Sequence, residues 1–151
     1  MLQRIQTVYL LIVIAIVIAS LFFPFATFVY NKSVFHLGAF GLDPVESDFS
    51  TRFPLYVGVF MILGSSIAAI SFFKNRKRQL LLGKLNYLLI LITLVFIFLD
   101  VDNISNQMLS NDQPIYGIGT YLVVCTLPLV FMANRAIKKD EALIKSLDRL
   151  R

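Results

Sequence analysis

The sequence predicts an all-α membrane protein, a four-transmembrane-helix bundle with both termini cytoplasmic, a short outer loop segment and a C-terminal amphipathic cytoplasmic helix. Three observations predict it. Of 151 residues, 58% are hydrophobic and 15% charged, with a mean hydropathy of +0.77, more apolar than a water-exposed surface tolerates. Four apolar runs, 8–30, 55–73, 80–99 and 115–133, match the ~20 residues that a helix needs to cross a hydrocarbon core. The cationic residues collect on one side of those runs, as the positive-inside rule requires of a cytoplasmic face.

The first run follows a single cation, Arg4. It is longer than the apolar region of a secretory leader and has no small-x-small cleavage site before its polar end, so it is expected to stay as an anchor. Helices are expected throughout, because the bilayer interior has no water for unpaired backbone groups and the runs are too long for barrel strands.

The connection after the first run contains "SVFHLGAFGLDP", too apolar for a solvated linker and too short to span. Val34, Phe35, Leu37, Phe40 and Leu42 are expected to form a strand or interfacial segment over the outer helix ends, with Gly38 and Gly41 at turns. A docking surface for an extracytoplasmic partner is the alternative.

In the second run, Gly64 and Ala68 stand four apart, Ser65 and Ala69 repeat the spacing, and Gly58 and Ser71 extend the small character. Close backbone approach drives helix association in lipid, so this helix is expected at the centre of the assembly. The first and third runs are nearly uniform Leu, Ile, Val and Phe and suit lipid-facing or partner-facing surfaces. Lys84 can snorkel to the headgroups, and Asp100 is expected just past the far end of the third helix.

The fourth run carries Gly117, Gly119, Thr120, Thr126 and Pro128. Pro128 cannot donate to the Val124 carbonyl, which predicts a bend that Thr126 or a neighbouring helix compensates. Cys125 reads as a small buried apolar residue, since one cysteine forms no internal disulfide.

Orientation rests on where the 14 Lys and Arg lie. Lys74, Arg76, Lys77, Arg78 and Lys84 occupy the second connection and its flank, and Arg135, Lys138, Lys139, Lys145, Arg149 and Arg151 the tail. With Arg4 these leave only Lys32 and Arg52 for the other side. The net charge of +5 is thereby explained as a topology signal beside anionic lipid, and no nucleic-acid partner is expected. The acidic residues Asp43, Glu46, Asp48, Asp100, Asp102 and Asp112 fall in the outer connections. They do not form a calcium loop, because Ile104 stands where the next ligand belongs and no glycine follows. No metal, cofactor or catalytic group is expected.

The tail, residues 134–151, is expected to break near "KKD", with Asp140 capping a new helix whose Leu143, Ile144, Leu147 and Leu150 make an apolar stripe. Partner or inner-leaflet contact is assigned to that stripe together with Arg4, Lys74, Arg76, Lys77, Arg78, Arg135 and Arg149. Helix packing is assigned to Gly58, Gly64, Ser65, Ala68, Ala69, Gly117, Gly119 and Pro128.

The opening "MLQRIQTVYLL", through Gln3, Arg4, Ile5, Gln6 and Tyr9, and the closing "ANRAIKKDEALIKSLDRLR" resemble a family of small four-span bacterial inner-membrane proteins of the Bacteroidota type, domain of unknown function 4293. In the closing stretch the matching residues are Ala133 to Ile137, Asp140, Glu141 and Leu147 to Arg151. The "AFGL" stretch, Ala39 to Leu42, is similar to the family's outer loop. The resemblance implies a location and a fold but no activity. The leading expectation is therefore a non-enzymatic accessory or assembly subunit of a larger membrane complex, using the first and third runs and the cytoplasmic ends. The alternative is a lipid or apolar-solute binder with a cavity near Gly117, Gly119 and Pro128. An intramembrane enzyme would need polar groups clustered at one depth, which the runs do not display.

Overall fold

The computed structural model describes residues 5–30, 33–43, 51–73, 75–108 and 113–148, with side chains as far as residue 142. Its elements run α1 (Ile5–Ser20), β1 (Ala26–Tyr30), β2 (Ser33–Gly38), β3 (Gly41–Asp43), α2 (Leu55–Ser71), α3 (Arg76–Met108), β4 (Ile115–Tyr116) and α4 (Ile118–Asp148). The all-α expectation is overturned. Four helices are joined by a four-stranded antiparallel sheet of order β3-β2-β1-β4. Among the described residues two helices, not four, are long and apolar enough to cross a membrane: Arg76–Met108 and, within α4, Ile118–Ala142. The other two, α1 and α2, are apolar but only 16 and 17 residues long.

The first apolar run divides because its second half favours extended backbone. Backbone bonds from Leu21 to Ile18 (3.2 Å) and from Phe22 to Ala19 (3.0 Å) tighten the end of α1, and Pro24 disfavours helix at the residue before it. The following "ATFVY" is β-branched and aromatic, and its residues alternate between the buried and open faces of a strand. Hydropathy reports apolar length, whereas pattern and proline decide whether that length is helix or strand.

Strands β1 and β2 pair from Ala26↔Leu37 to Tyr30↔Ser33, and β2 turns into β3 through Ala39 and Phe40, closed by the pair Gly38↔Gly41. Gly41 has φ 136°, a conformation that side-chain-bearing residues avoid. The two-residue β4, from between α3 and α4, pairs with Ala26 and Thr27. Ala26, Phe28, Phe35, Leu37 and Leu42 are buried on the inner face, in one apolar cluster with Leu55 of α2, Ile97, Ile104 and Met108 of α3 and Val123 of α4. Sheet and helices therefore share a core.

The helices pack side by side in chain order, with α1 closing onto α4. Each buries one stripe at alternating three- and four-residue steps, such as Gln6, Leu10, Val13, Val17 and Ser20 on α1. That spacing gives the shallow crossings of coiled-coil-like packing. Helix α2 is not central: it touches α1 and α3 and leaves a face open. Ser65, Ser66 and Ala69 point inward, while Gly64 is exposed with nothing near it, and Ala68 is half-buried.

Two further expectations are corrected. Helix α3 continues past residue 99 to Met108, so Asp100 lies within it. Helix α4 runs unbroken past Asp140 to Asp148. Asp140 accepts a hydrogen bond from Gln6 Nε2 and lies 3.9 Å from Arg76 Nη1; these partners let an acidic residue occupy the inward side of a continuous helix.

Candidate functional site

The inner face of α3 carries a polar residue at every seventh position. Gln79, Asn86, Thr93 and Asp100 are each at most 2% exposed, alternating with buried Gly83, Ile90, Ile97 and Ile104. A period of seven keeps a position on the helix–helix seam, so all four face the interior of the protein. Asn86 Nδ2 donates to Ser66 Oγ at 2.7 Å, and Ser66 Oγ donates to the Ile62 carbonyl at 2.8 Å. Thr93 Oγ1 donates to the Leu89 carbonyl at 2.8 Å, next to Gly58, where a Cβ would stand 2.6 Å from that hydroxyl. The oxygens Gln79 Oε1, Asn86 Oδ1, Asp100 Oδ2 and Asn134 Oδ1 are buried without hydrogen-bond partners, as is Arg76 Nη1.

The expected blandness of the first and third runs is thereby corrected. Within the first run Ser20 turns inward, and within the third Asn86 and Thr93 do; α1 adds Gln6 just before the first run, and α3 adds Gln79 and Asp100 at the edges of the third. The signal was present: Gln79, Asn86, Thr93 and Asp100 share one heptad phase, which a search for ionisable groups alone passes over.

Asp100 has a distinct position at the sheet end of α3. Its Oδ1 accepts from the backbone N–H groups of Arg52 at 2.9 Å and Phe53 at 3.1 Å. The segment leading into α2 is thus fastened to α3, and Phe53 stacks on Phe96 with ring centroids 4.5 Å apart.

Gly117 and Gly119 are packed against the 23–25 turn. Gly117 donates to the Phe25 carbonyl at 2.7 Å and Gly119 to that of Pro24 at 3.0 Å, while Thr120 Oγ1 donates to Phe25 at 2.7 Å. A Cβ on Gly117 would collide with the Pro24 carbonyl oxygen, and one on Gly119 would lie 2.7 Å from that of Phe23. The free N–H groups at the start of α4 thereby bind the carbonyls of the turn that ends α1. Pro128 is exposed on α4, and the hydroxyl of Thr126 donates to Val123 at 2.6 Å, not to Val124. Cys125 is exposed rather than buried.

Beyond the seam, the 21–24 turn, His36 and hairpin residues 38–43 enclose a groove of about 550 Å³. A smaller cleft of about 220 Å³ lies on the other side of the hairpin, between residues 38–41 and 51–56, where Phe40 stacks on Tyr56 at 6.1 Å. Thr27, His36 and Asp43 are register partners across three strands on the outer face, with Thr27 Oγ1 3.2 Å from His36 Nδ1. Among the described residues no group of three or more His, Cys, Asp or Glu could hold a metal ion.

The opposite end joins the start of α1 to α4. Besides meeting Asp140, Gln6 Nε2 donates to the Ala136 carbonyl at 3.4 Å. Arg76 and Asp140 are partly exposed, Lys77, Arg78, Arg135, Lys138 and Lys139 exposed, and the Arg78 guanidinium sits 6.0 Å over Phe72. Leu143, Ile144 and Leu147 lie on the α4 backbone with side chains outside the described residues, and Arg4, Lys74, Arg149 and Leu150 lie outside them altogether.

A family model described as "Domain of unknown function (DUF4293)" matches residues 2–150. No curated protein matches the chain, and neither does any solved structure.

Proposed function

Taking as premise that the chain belongs to the DUF4293 family of unknown function, we propose that it is a non-enzymatic multi-pass protein of a bacterial inner membrane, serving as an accessory or assembly subunit of a larger membrane complex. Large apolar side chains remain exposed along α3 and α4, among them Leu88, Val95, Phe131 and Met132, which supports lipid or another subunit as their surroundings. Gly83 faces Asn134 and Arg76 faces Asp140, so α3 and α4 are antiparallel. Their basic ends share one side, and the positive-inside rule makes that side, with both chain ends, cytoplasmic.

The observation that carries the subunit reading is the length of α4. Its 31 residues reach about 46 Å at 1.5 Å per residue, more than the ~30 Å of a hydrocarbon core. Its last turns therefore stand clear of the membrane as a helix tied to the N-terminal segment through Gln6 and Asp140. That projection, with Leu143, Ile144 and Leu147 among charged residues, suits a helix docking in the groove of a partner.

Mild-detergent purification of the full chain, followed by mass spectrometry, tests this. Reproducible membrane-protein partners that are lost on Leu143→Asp with Leu147→Asp are expected. A lone monomer, or partners indifferent to those changes, would overturn it. The second reading, a binder of lipid or apolar solute, is supported by the groove beside the hairpin.

A further inference from the structure

We infer that the groove between the 21–24 turn and the β2–β3 hairpin seats a phospholipid with an ammonium headgroup, its acyl portion along Phe22 and Phe23 and its ammonium at Asp43. The inference rests on the reading of the chain as membrane-embedded, and four features of the groove support it.

The first is size. About 550 Å³ falls within the roughly 300–1,000 Å³ typical of small-molecule sites. The second is continuity with the apolar belt. Ile18 on α1 is 44% exposed, Phe22 80% and Phe23 42%, so apolar surface runs from the helix into the groove without a polar break. An acyl chain can enter sideways from the bilayer and need not cross water. Phe40, 72% exposed at the hairpin tip, adds an aromatic side chain at the same end of the molecule.

The third feature is charge. Among the described residues the groove lining contains Asp43 and no Lys or Arg, so a headgroup with only negative charge meets a carboxylate, whereas an ammonium finds a counter-ion. The fourth is the polar row behind Asp43. His36 is its register partner, and the contact of His36 Nδ1 with Thr27 Oγ1 leaves Nε2 as the ring nitrogen available to a phosphate oxygen. In the sheet order β3-β2-β1 His36 lies between the 21–24 turn side and Asp43, so apolar floor, imidazole and carboxylate follow one another as acyl chain, phosphate and ammonium do in an aminophospholipid.

The test uses the full chain in phosphatidylglycerol nanodiscs, with trace phosphatidylethanolamine or phosphatidylglycerol carrying the same photoactivatable acyl chain, and locates adducts by peptide mass spectrometry. The ethanolamine probe is expected to label residues 21–24 and 38–43 about three- to five-fold more than the glycerol probe, the size of a partly exposed ion pair. Asp43→Asn should erase that preference. Gly38→Leu should lower labelling by both probes. Residue 38 lies on the His36 face of β2, and only the Gly41 carbonyl oxygen, at 3.8 Å, is near its Cβ position, so the sheet accepts the side chain while the groove loses space. Unchanged thermal unfolding of both variants in detergent controls for folding. Equal labelling by the two probes, or a preference that survives Asp43→Asn, overturns the headgroup assignment. Adducts on exposed α3 and α4 residues such as Val95 and Phe131 but none in the groove overturn the site and leave the groove to a protein partner. Absence of adducts everywhere would instead sink the membrane reading.

Discussion

At the residue scale, Asp100 shows how one buried carboxylate organises a distant segment. It is fully buried and holds the N–H groups of Arg52 and Phe53, so Asp100→Ala orphans two donors at about 1–3 kcal/mol each. Loss of about 2–5 kcal/mol is expected by denaturant unfolding in detergent, and Asp100→Asn, which keeps an acceptor, should lose less than half as much. The glycines give a second contrast. Gly117→Ala forces a Cβ onto the backbone oxygen of Pro24 and should cost about 1–3 kcal/mol. Gly64→Ala, on an open helix face with nothing within 4 Å, should be neutral or stabilise by up to about 1 kcal/mol. Sequence spacing suggested packing roles for both glycines. It could not tell them apart, because a small-xxx-small pair occurs on an open face as readily as on a packed one. The polar row of α3 was legible as heptad spacing; its depth was not, since burial depends on which helices lie opposite.

At the element scale, the four apolar runs and a strand or interfacial segment through Val34, Phe35, Leu37, Phe40 and Leu42 were legible, but the boundaries moved wherever tertiary partners overrode the local pattern. The run beginning at residue 8 ends as helix at Ser20, because the next residues pair with β2 and β4. The tail does not break at Asp140, because Gln6 and Arg76, more than sixty residues away in sequence, occupy the place that a cap would have served. Spin labels at Tyr121 and Lys139, both on exposed positions of α4, test its continuity by pulsed electron resonance. Eighteen residues of unbroken helix separate the two backbone positions by about 27 Å; a break near Asp140 would leave that distance but let a label at Ala142 scatter broadly, whereas continuous helix keeps both distributions narrow.

At the scale of the whole molecule, one end carries Arg76, Lys77, Arg78, Arg135, Lys138 and Lys139 with the contact of Gln6 and Asp140, and the other carries the sheet, the groove and Asp100. Reporter fusions should report a cytoplasmic location after Ala142 and an extracytoplasmic one within the β2–β3 hairpin; the reverse result, or both on one side, contradicts the proposed orientation. By itself the sequence determined that 58% of the residues are hydrophobic, that its cations are segregated along the chain, and that it resembles a family whose model spans residues 2–150. These are sums over composition and order, and no neighbour is needed to evaluate them. Tertiary structure alone decided that the last five residues of the first run are a strand, that β4 returns from between α3 and α4 to complete the sheet, and that a polar row is sealed on the inner face of α3. Each depends on hydrogen bonds and packing between segments remote in sequence, whose free energy outweighs the local preference of the residues involved.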